Sequence, residues 1–512
     1  MELELKMTRL DGFDVGSEQI LTQEETADTI VPDYCPDIAR IIDTEGKVFL
    51  LSREIRDGKG AVSGTVRVTV LYTPDGESGI RTLEFAMPFS AETDGRAMND
   101  CVFLCASAEI ECLETRILNP RKVFTRCKLI IRMTGYRKQT VNIASDAEAA
   151  PELCLEKKTE SQHISLLAQL VEKDFTFSDE MELSLGREGA AEILTNRASA
   201  LVTESKIVGN KLILKGLFHI DLLYRSVSGR FSSASGELPF SQILEVSGIS
   251  ENAMVSAQLQ FTGTDIQVSS AGDQDGRRIA VTLYLHAVAL LRQEQHVTLL
   301  KDMYSTAYDL GYEAEPVVLT DRADMLVRRQ TIREILEVGV VADSLLSLSV
   351  FCGSVNVSRE GDHTVLRAVT TIRAFYLDEG GVPLVTERCV DAVCHLEFPE
   401  DCQITARACC PEEVQGSLGD RGIEVRFPVE FQIQSVVRRK KVCLSSVRML
   451  SDQPKDLSHM PSLVLRTLGT EGELWSLAKQ HHTTIASILS ANGLKCEDDI
   501  AHDKLLLIPK KR

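Results

Sequence analysis

The chain has 512 residues, 44% hydrophobic and 26% charged, with a formal net charge of −19 and a pI near 5.1. That length exceeds what one hydrophobic core serves and points to roughly three or four domains, and the composition excludes a disordered scaffold. The acidic balance argues against nucleic acid, whose phosphates must be met by lysine and arginine, and no apolar run is long enough to cross a bilayer as a helix.

The opening "MELELKMTRL" carries no apolar h-region, so the expected compartment is the cytosol. "VPDYCPDIARII" occupies residues 31–42. Pro32 and Pro36 should hold the backbone extended as it enters a domain, with Ile38, Ile41 and Ile42 as anchors. Asp33 and Asp37 make weak catalytic carboxylates, because Pro36 forbids the helix that would align them.

A repeat runs through most of the chain. "AVSGTVRVTVLYTPDGESG", "LILKGLFHIDLLYRSVSGR" and "TVLRAVTTIRAFYLDEGG" share a pattern whose tyrosines, Tyr72, Tyr224 and Tyr376, lie 152 residues apart. Ile41-Ile42 and Ile193-Leu194 keep that offset, whereas the third copy offers Ile335-Leu336 and so an insertion. "PFS" triplets recur at Pro88 and Pro239 and read as turns. Alternation of Val62, Gly64, Val66, Val68, Val70 and Tyr72 gives a strand with one buried face, and the glycine-rich loops after each tyrosine suit hairpins. Between copies, "ESQHISLLAQLVEKDF" spaces its apolar residues for a short amphipathic helix or an irregular linker. The predicted fold is mainly β: three repeated antiparallel sandwich-like units at 1–150, 151–310 and a diverged 311–450, a linker at 451–461, and a small βααβ domain at 462–512.

The 14 cysteines read as reduced small hydrophobes. Cys352, Cys389, Cys394, Cys402, Cys409 and Cys410, with His395, match no zinc spacing, so no metal is expected. The basic run Arg438-Arg439-Lys440-Lys441 reads as the solvated exit of a strand. No nucleophile elbow, phosphate loop or His-Glu-x-x-His motif occurs, and neither catalysis nor a cofactor is expected.

The C-terminal stretch changes character. A β-prone run at Leu463–Leu468 precedes "GELWSLAKQ", with Leu474, Leu477 and Ala478 on one helical face. Thr483 and Thr484 can cap a second helix carrying Ile485, Ile488 and Leu489. Asn492-Gly493 is a left-handed stop, and "KLLLIP" a closing strand. The order, with Leu474-Trp475-Ser476-Leu477-Ala478, Thr484, Ile488-Leu489, Asn492 and Lys504 to Pro509, resembles a LysM domain. LysM domains bind N-acetylglucosamine polymers through two loops, and this sequence departs there: Glu471-Gly472-Glu473 and Ala501-His502-Asp503 replace the usual Gly-Asp-Thr and Pro-Gly-Gln, and these residues with Asn492 are the degenerate glycan-loop positions. His481-His482 read as exposed turn residues. Trp475, the single tryptophan, is either a packed helix residue or a partner anchor. Lying one position off the Leu474/Ala478 stripe favours partial exposure, so Trp475, with Leu463 and Leu477, is the expected partner contact.

The β-repeats resemble the SPOCS family of spore-coat-associated domains, through "VPDYCPDIARII", the "V-x-G-x-V-x-V-x-V-L-Y" strand, "MPFS" and the strands after "ILNPRKV". SPOCS units followed by one LysM domain is the layout of a spore-envelope morphogenetic protein. The resemblance implies a non-catalytic adaptor in the mother-cell cytosol at the forespore surface. Its implied partners are the coat-basement ATPase SpoIVA, bound mainly through the LysM domain, and other coat proteins or itself. The alternative is a cell-wall or cortex protein whose LysM domain keeps a peptidoglycan ligand.

Overall fold

The computed structural model describes residues 3–76, 79–269, 275–411, 414–456, 458–459, 461–467, 474–496 and 505–510. The first unit comprises β1 (Leu3–Ile30), β2 (Ile38–Arg56), β3 (Lys59–Pro74), β4 (Arg81–Glu92), β5 (Cys101–Asn119) and β6 (Lys122–Ala149). The second repeats that order as β7 (Leu155–Glu182), β8 (Ala190–Val208), β9 (Lys211–Ser226), β10 (Phe231–Glu245), β11 (Met254–Val268) and β12 (Arg278–Ser305). The third comprises β13 (Leu310–Leu336), β14 (Ala342–Glu360), β15 (His363–Asp378), β16 (Pro383–Leu396), β17 (Cys402–Cys409), β18 (Gln415–Gly419) and β19 (Gly422–Met449). In every unit the middle strands make one antiparallel sheet, β2-β3-β4, β8-β9-β10 or β14-β15-β16. The long outer strands pair with each other, and the last of them also pairs with one intervening strand, or with two, β17 and β18, in the third unit, to make the second sheet. Each pair of sheets encloses its own core, and the alternating Val62, Val66, Val68, Val70 and Tyr72 are buried in the first.

The repeat is stricter than the sequence suggests. β2, β8 and β14 begin at Ile38, Ala190 and Ala342, and β3, β9 and β15 at Lys59, Lys211 and His363, each 152 residues apart. Ile41, Ile193 and Leu345 pair with Tyr72, Tyr224 and Tyr376, and the ladder then skips one residue: Ile42, Leu194 or Leu346. The third copy of the apolar pair is therefore Leu345-Leu346, without an insertion; Ile335-Leu336 closes β13 instead. A bulged residue leaves the ladder and is re-aimed. Here the three meet Leu71, Leu223 and Phe375, also 152 apart, in a cluster shared by all units.

Three local expectations give way. "ESQHISLLAQLVEKDF" lies within the 28-residue strand β7. Ile164 and Leu167 are buried on opposite faces of that strand, Ile164 in the core drawn from every unit and Leu167 with Tyr136, Val288 and Leu290, so apolar residues three apart mimic a helix. "MPFS" is mid-strand in β4, where Pro88 occupies a sheet edge that tolerates a missing N–H. The basic run lies inside β19 and is paired across units: Arg438 with Asp14 (2.5 Å) and Lys441 with Glu160 (3.3 Å).

"VPDYCPDIARII" makes a tight turn, Cys35 N–H donating to Pro32 O (2.9 Å), rather than an extended lead-in. Arg121, in the turn between β5 and β6, donates to Val31 O (3.0 Å), Cys35 O (2.7 Å), Asp37 (3.0 Å) and Asp33 (3.2 Å). Those carboxylates serve a clamp. Tyr72 hydroxyl donates to Pro36 O, and Tyr224 repeats the bond to Glu188 O, both at 3.1 Å.

Beyond the sandwiches, the outer ends of the long strands bundle as three ribbons. Leu10, Ile143 and Ala147, Ile164, Leu299, Leu300 and Met303, and Leu319, Cys443 and Leu444 form one core drawn from every unit. The connections between units, and the C-terminal module, lie at the far end of this stalk.

Candidate partner-binding site

The module is β20 (Leu463–Thr467), α1 (Leu474–Gln480), α2 (Ile485–Ala491) and β21 (Leu505–Pro509), with β20 and β21 antiparallel. Thr484 caps α2, its side chain accepting from Ser487 N–H (3.1 Å). Gly493 takes the left-handed turn, φ +64°, that ends it. Leu474, Ala478, Ile488, Leu506 and Ile508 fill the small core. Asn492 stitches it: its Nδ2 donates to Ile488 O and Leu507 O (2.7 Å each), and its Oδ1 accepts from Leu507 N–H (2.8 Å). Its amide is engaged by the fold and is not an open glycan contact. Glu471, Gly472, Glu473, Ala501, His502 and Asp503 lie outside the described residues.

The module's core does not end at the module. Tyr304, from the tip of β12, belongs to it, with its ring edge-on to Trp475 at 4.9 Å and its hydroxyl donating to Thr483 O (2.8 Å). Trp475 Nε1 donates to Asp302 Oδ2 (2.7 Å), and Lys479 Nζ reaches both Asp302 oxygens (2.6 and 2.8 Å). Lys479 also lies over the Tyr312 ring (4.7 Å) and bonds its hydroxyl. Lys455 ties the preceding segment down through Ala307 O (2.8 Å), Ser305 O (3.0 Å) and His482 Nδ1 (3.1 Å).

Trp475 is therefore only 8% exposed, contrary to the expectation of a partly exposed partner anchor. Its place off the Leu474/Ala478 stripe turns it toward a strand 173 residues earlier in the chain. Leu477 is half-buried. Leu463 is 52% exposed and shares the outer face of the two-stranded sheet with Leu465 at 56% and Leu505 at 55%. The histidines are half-buried rather than exposed, and His482 takes a left-handed backbone, φ +52°. Asp302, Tyr304, Tyr312 and Lys479 escaped sequence reasoning; an Asp-x-Tyr at a strand tip signals nothing until its neighbour is known.

Electrostatics favour the docked arrangement. Burial pushes the Asp302 carboxyl up, but hydrogen bonds from Lys479, Trp475 and Tyr312 outweigh it and hold it below the usual carboxylate value. Burial likewise pulls Lys479 down, and Asp302 and Tyr312 raise it above the ordinary lysine value. His482 is lowered by burial and by Lys455, against the pull of Asp309.

A second feature is a cavity of about 1650 Å³ where β2, β8 and β14 converge, lined by mixed charge including Glu45, Lys47, Arg197 and Arg373. These residues bind unit to unit. Lys47 donates to Asn196 (2.6 Å), Arg197 pairs with Glu45 (3.1 Å) and lies 3.8 Å from the Phe351 ring centre, and Arg373 pairs with Asp43. Burial pushes the Lys47 amine down to about 8, against Glu45 and Glu84. Among the described residues no group of three or more His, Cys, Asp or Glu side chains is arranged to hold a metal ion.

The architecture defines a class: a triplicated β-sandwich protein ending in a βααβ module. Residues 37–118 and 189–269 match the family model described as "SipL, SPOCS domain", and residues 474–509 match that of the LysM domain. The chain thus carries two SPOCS-domain segments and a C-terminal LysM domain, a domain content of the spore-associated type with a domain of the peptidoglycan-binding type. Both are non-catalytic binding domains. The matched segments cover β2–β5 and β8–β11, and the third unit repeats the same order of strands. No curated protein matches the chain. No helix among the described residues is long and apolar enough to cross a membrane.

Proposed function

We propose that the protein is a non-catalytic morphogenetic adaptor of the spore envelope, whose LysM domain binds the coat-basement ATPase SpoIVA at the forespore surface, on the mother-cell side. The observation that carries this reading is the outer face of the β20–β21 sheet. Leu463, Leu465 and Leu505 are each more than half exposed on a domain whose glycan-loop residues depart from the usual pattern. An apolar sheet face suits a protein surface better than a hydroxyl-rich polymer. The units at 1–150, 151–310 and 311–450, joined through the 451–461 linker to the module at 462–512, then act as a rigid platform for other coat proteins or for a second copy. Within this reading Leu463 is the open contact and Leu477 supports it, while Trp475 becomes a contact only when the module leaves the stalk.

Affinity capture from sporulating cells, with full chain and with a chain ending at residue 459, tests it. SpoIVA should co-purify with the first alone. Trp475→Glu should lose capture while the β-body stays folded. Sedimentation of the full chain with insoluble peptidoglycan, without SpoIVA capture, would transfer the assignment to a wall or cortex protein.

A further inference from the structure

The three ribbons of the stalk end alike, yet the module reads only one. Each C-terminal long strand skips one residue near its tip, at Ser145, Lys301 and Ser445. The residue after the bulge is Asp146, Asp302 or Ser446, and two positions on, along the same face, stand Glu148, Tyr304 and Arg448. Asp146 and Asp302 even share a local bond, each accepting at 2.8 Å from the next backbone N–H. Asp146 is occupied by Lys157 (2.6 Å), and Ser446 with Arg448 offers Lys479 no carboxylate. Only the second ribbon presents an aspartate and a tyrosine two apart, and Trp475 Nε1, Lys479 Nζ and the Thr483 carbonyl meet both side chains.

That is a recognition surface with defined chemistry. An indole N–H and an ammonium converge on one carboxylate, a charge-assisted pair stronger than neutral bonds. A main-chain carbonyl takes the phenol proton, and the indole face takes the phenol ring. We propose that the Trp475–Lys479 face of the module is a docking socket for an extended Asp-x-Tyr segment, that Asp302-Met303-Tyr304 fills it in cis, and that a partner segment of the same chemistry gains this face only by displacing it. The socket itself stands on the cis geometry; its use by a partner rests on the proposed protein-binding role of the module. Residues 450–462 can span about 40 Å when extended, enough for release without unfolding either part.

Trp475 is the chain's single tryptophan, so its emission reports the socket directly. The full chain should emit as a buried indole, and the Asp302→Asn, Tyr304→Ala double variant should shift to the red. A synthetic peptide of residues 299–312 added to that variant should restore the blue-shifted emission, and a control peptide with Asn and Phe at the two positions should not. Lys479→Met, which alters the module and leaves the strand intact, should red-shift and resist rescue. Unchanged emission in the variants, or equal rescue by both peptides, overturns the socket. Failure of SpoIVA capture from sporulating cells, with these emission changes present, overturns only the partner assignment.

Discussion

Gly64 faces Phe89 across the β3–β4 ladder, and Gly216 faces Phe240 in the second unit. A Cβ on Gly64 would stand 2.3 Å from Phe49 O and 2.8 Å from the Phe89 ring; on Gly216 it would stand 2.0 Å from Leu201 O and 2.7 Å from the Phe240 ring. The glycine of the "V-x-G-x-V" pattern therefore makes room for a ring lying over the strand, a packing role rather than a turn. The third unit solves the same volume differently: Ala368 faces Ala392, and both are fully buried. Gly64→Ala should accordingly destabilise by about 1–3 kcal/mol through overpacking. Combining it with Phe89→Ala, which imports the third unit's pair, should cost less than the sum of the single changes. Denaturant midpoints of the four proteins measure this coupling; strict additivity would refute the shared-volume account.

At the scale of elements, the turn between α1 and α2 makes docking of the module sensitive to mild acid. His482 is held below its ordinary value of 6.5 by burial, Lys455 and His481, and only Asp309 opposes them; burial and Arg466 lower His481. A base with a lowered value in the docked state binds more protons when released, so stability falls as pH drops through about 6.5 and continues to fall toward the docked value. Asp302 and Lys479 stay charged across that window, since the first is shifted down and the second up. Between pH 7.5 and 5.5 the Trp475 emission should move to the red or its melting point should fall. His482→Asn, a residue that tolerates left-handed backbone, should flatten that response. An unchanged acid response in the variant would exclude His482 as its source.

Elements also mark where the sequence could be read. The strands after each glycine-rich loop, and the βααβ order of the module with its Thr484 cap, follow from local alternation and capping, and local patterns carry them. The helix or linker expected over "ESQHISLLAQLVEKDF" failed because both faces of that strand are buried, Ile164 in one core and Leu167 in another, so apolar residues three apart read as a helical stripe. The exposure of Trp475 failed for a different reason. Its covering residues lie 173 positions away in a strand whose own periodicity gives no hint of them. Arg121 was hidden likewise, since its four acceptors lie on a turn more than 80 residues upstream.

At the scale of the molecule, no unit owns all of the surface it buries. One shared core joins Leu10 and Ile143 to Leu299 and Leu300 and to Leu319 and Leu444. A second, at the opposite end, joins Leu71, Leu223 and Phe375 with the bulged Ile42, Leu194 and Leu346. Between them, Asp43, Glu45 and Lys47 of the first unit meet Arg373, Arg197 and Asn196 of its neighbours. Removing the third unit strips Leu319, Cys443 and Leu444 from one core and Phe375 from the other. It also leaves Asp43, which is buried, without Arg373. An unpaired buried charge after loss of one partner costs about 3–5 kcal/mol, and each buried leucine or phenylalanine newly exposed adds about 1.5–3 kcal/mol. Those losses are comparable to the whole stability of a domain, about 5–15 kcal/mol. A chain ending at residue 306 should therefore aggregate or melt far below the full protein, and the body of the full protein should unfold in one calorimetric transition. Three separate transitions, or a truncated chain that melts like the parent, would mean that the units are independent beads and that the shared cores contribute little.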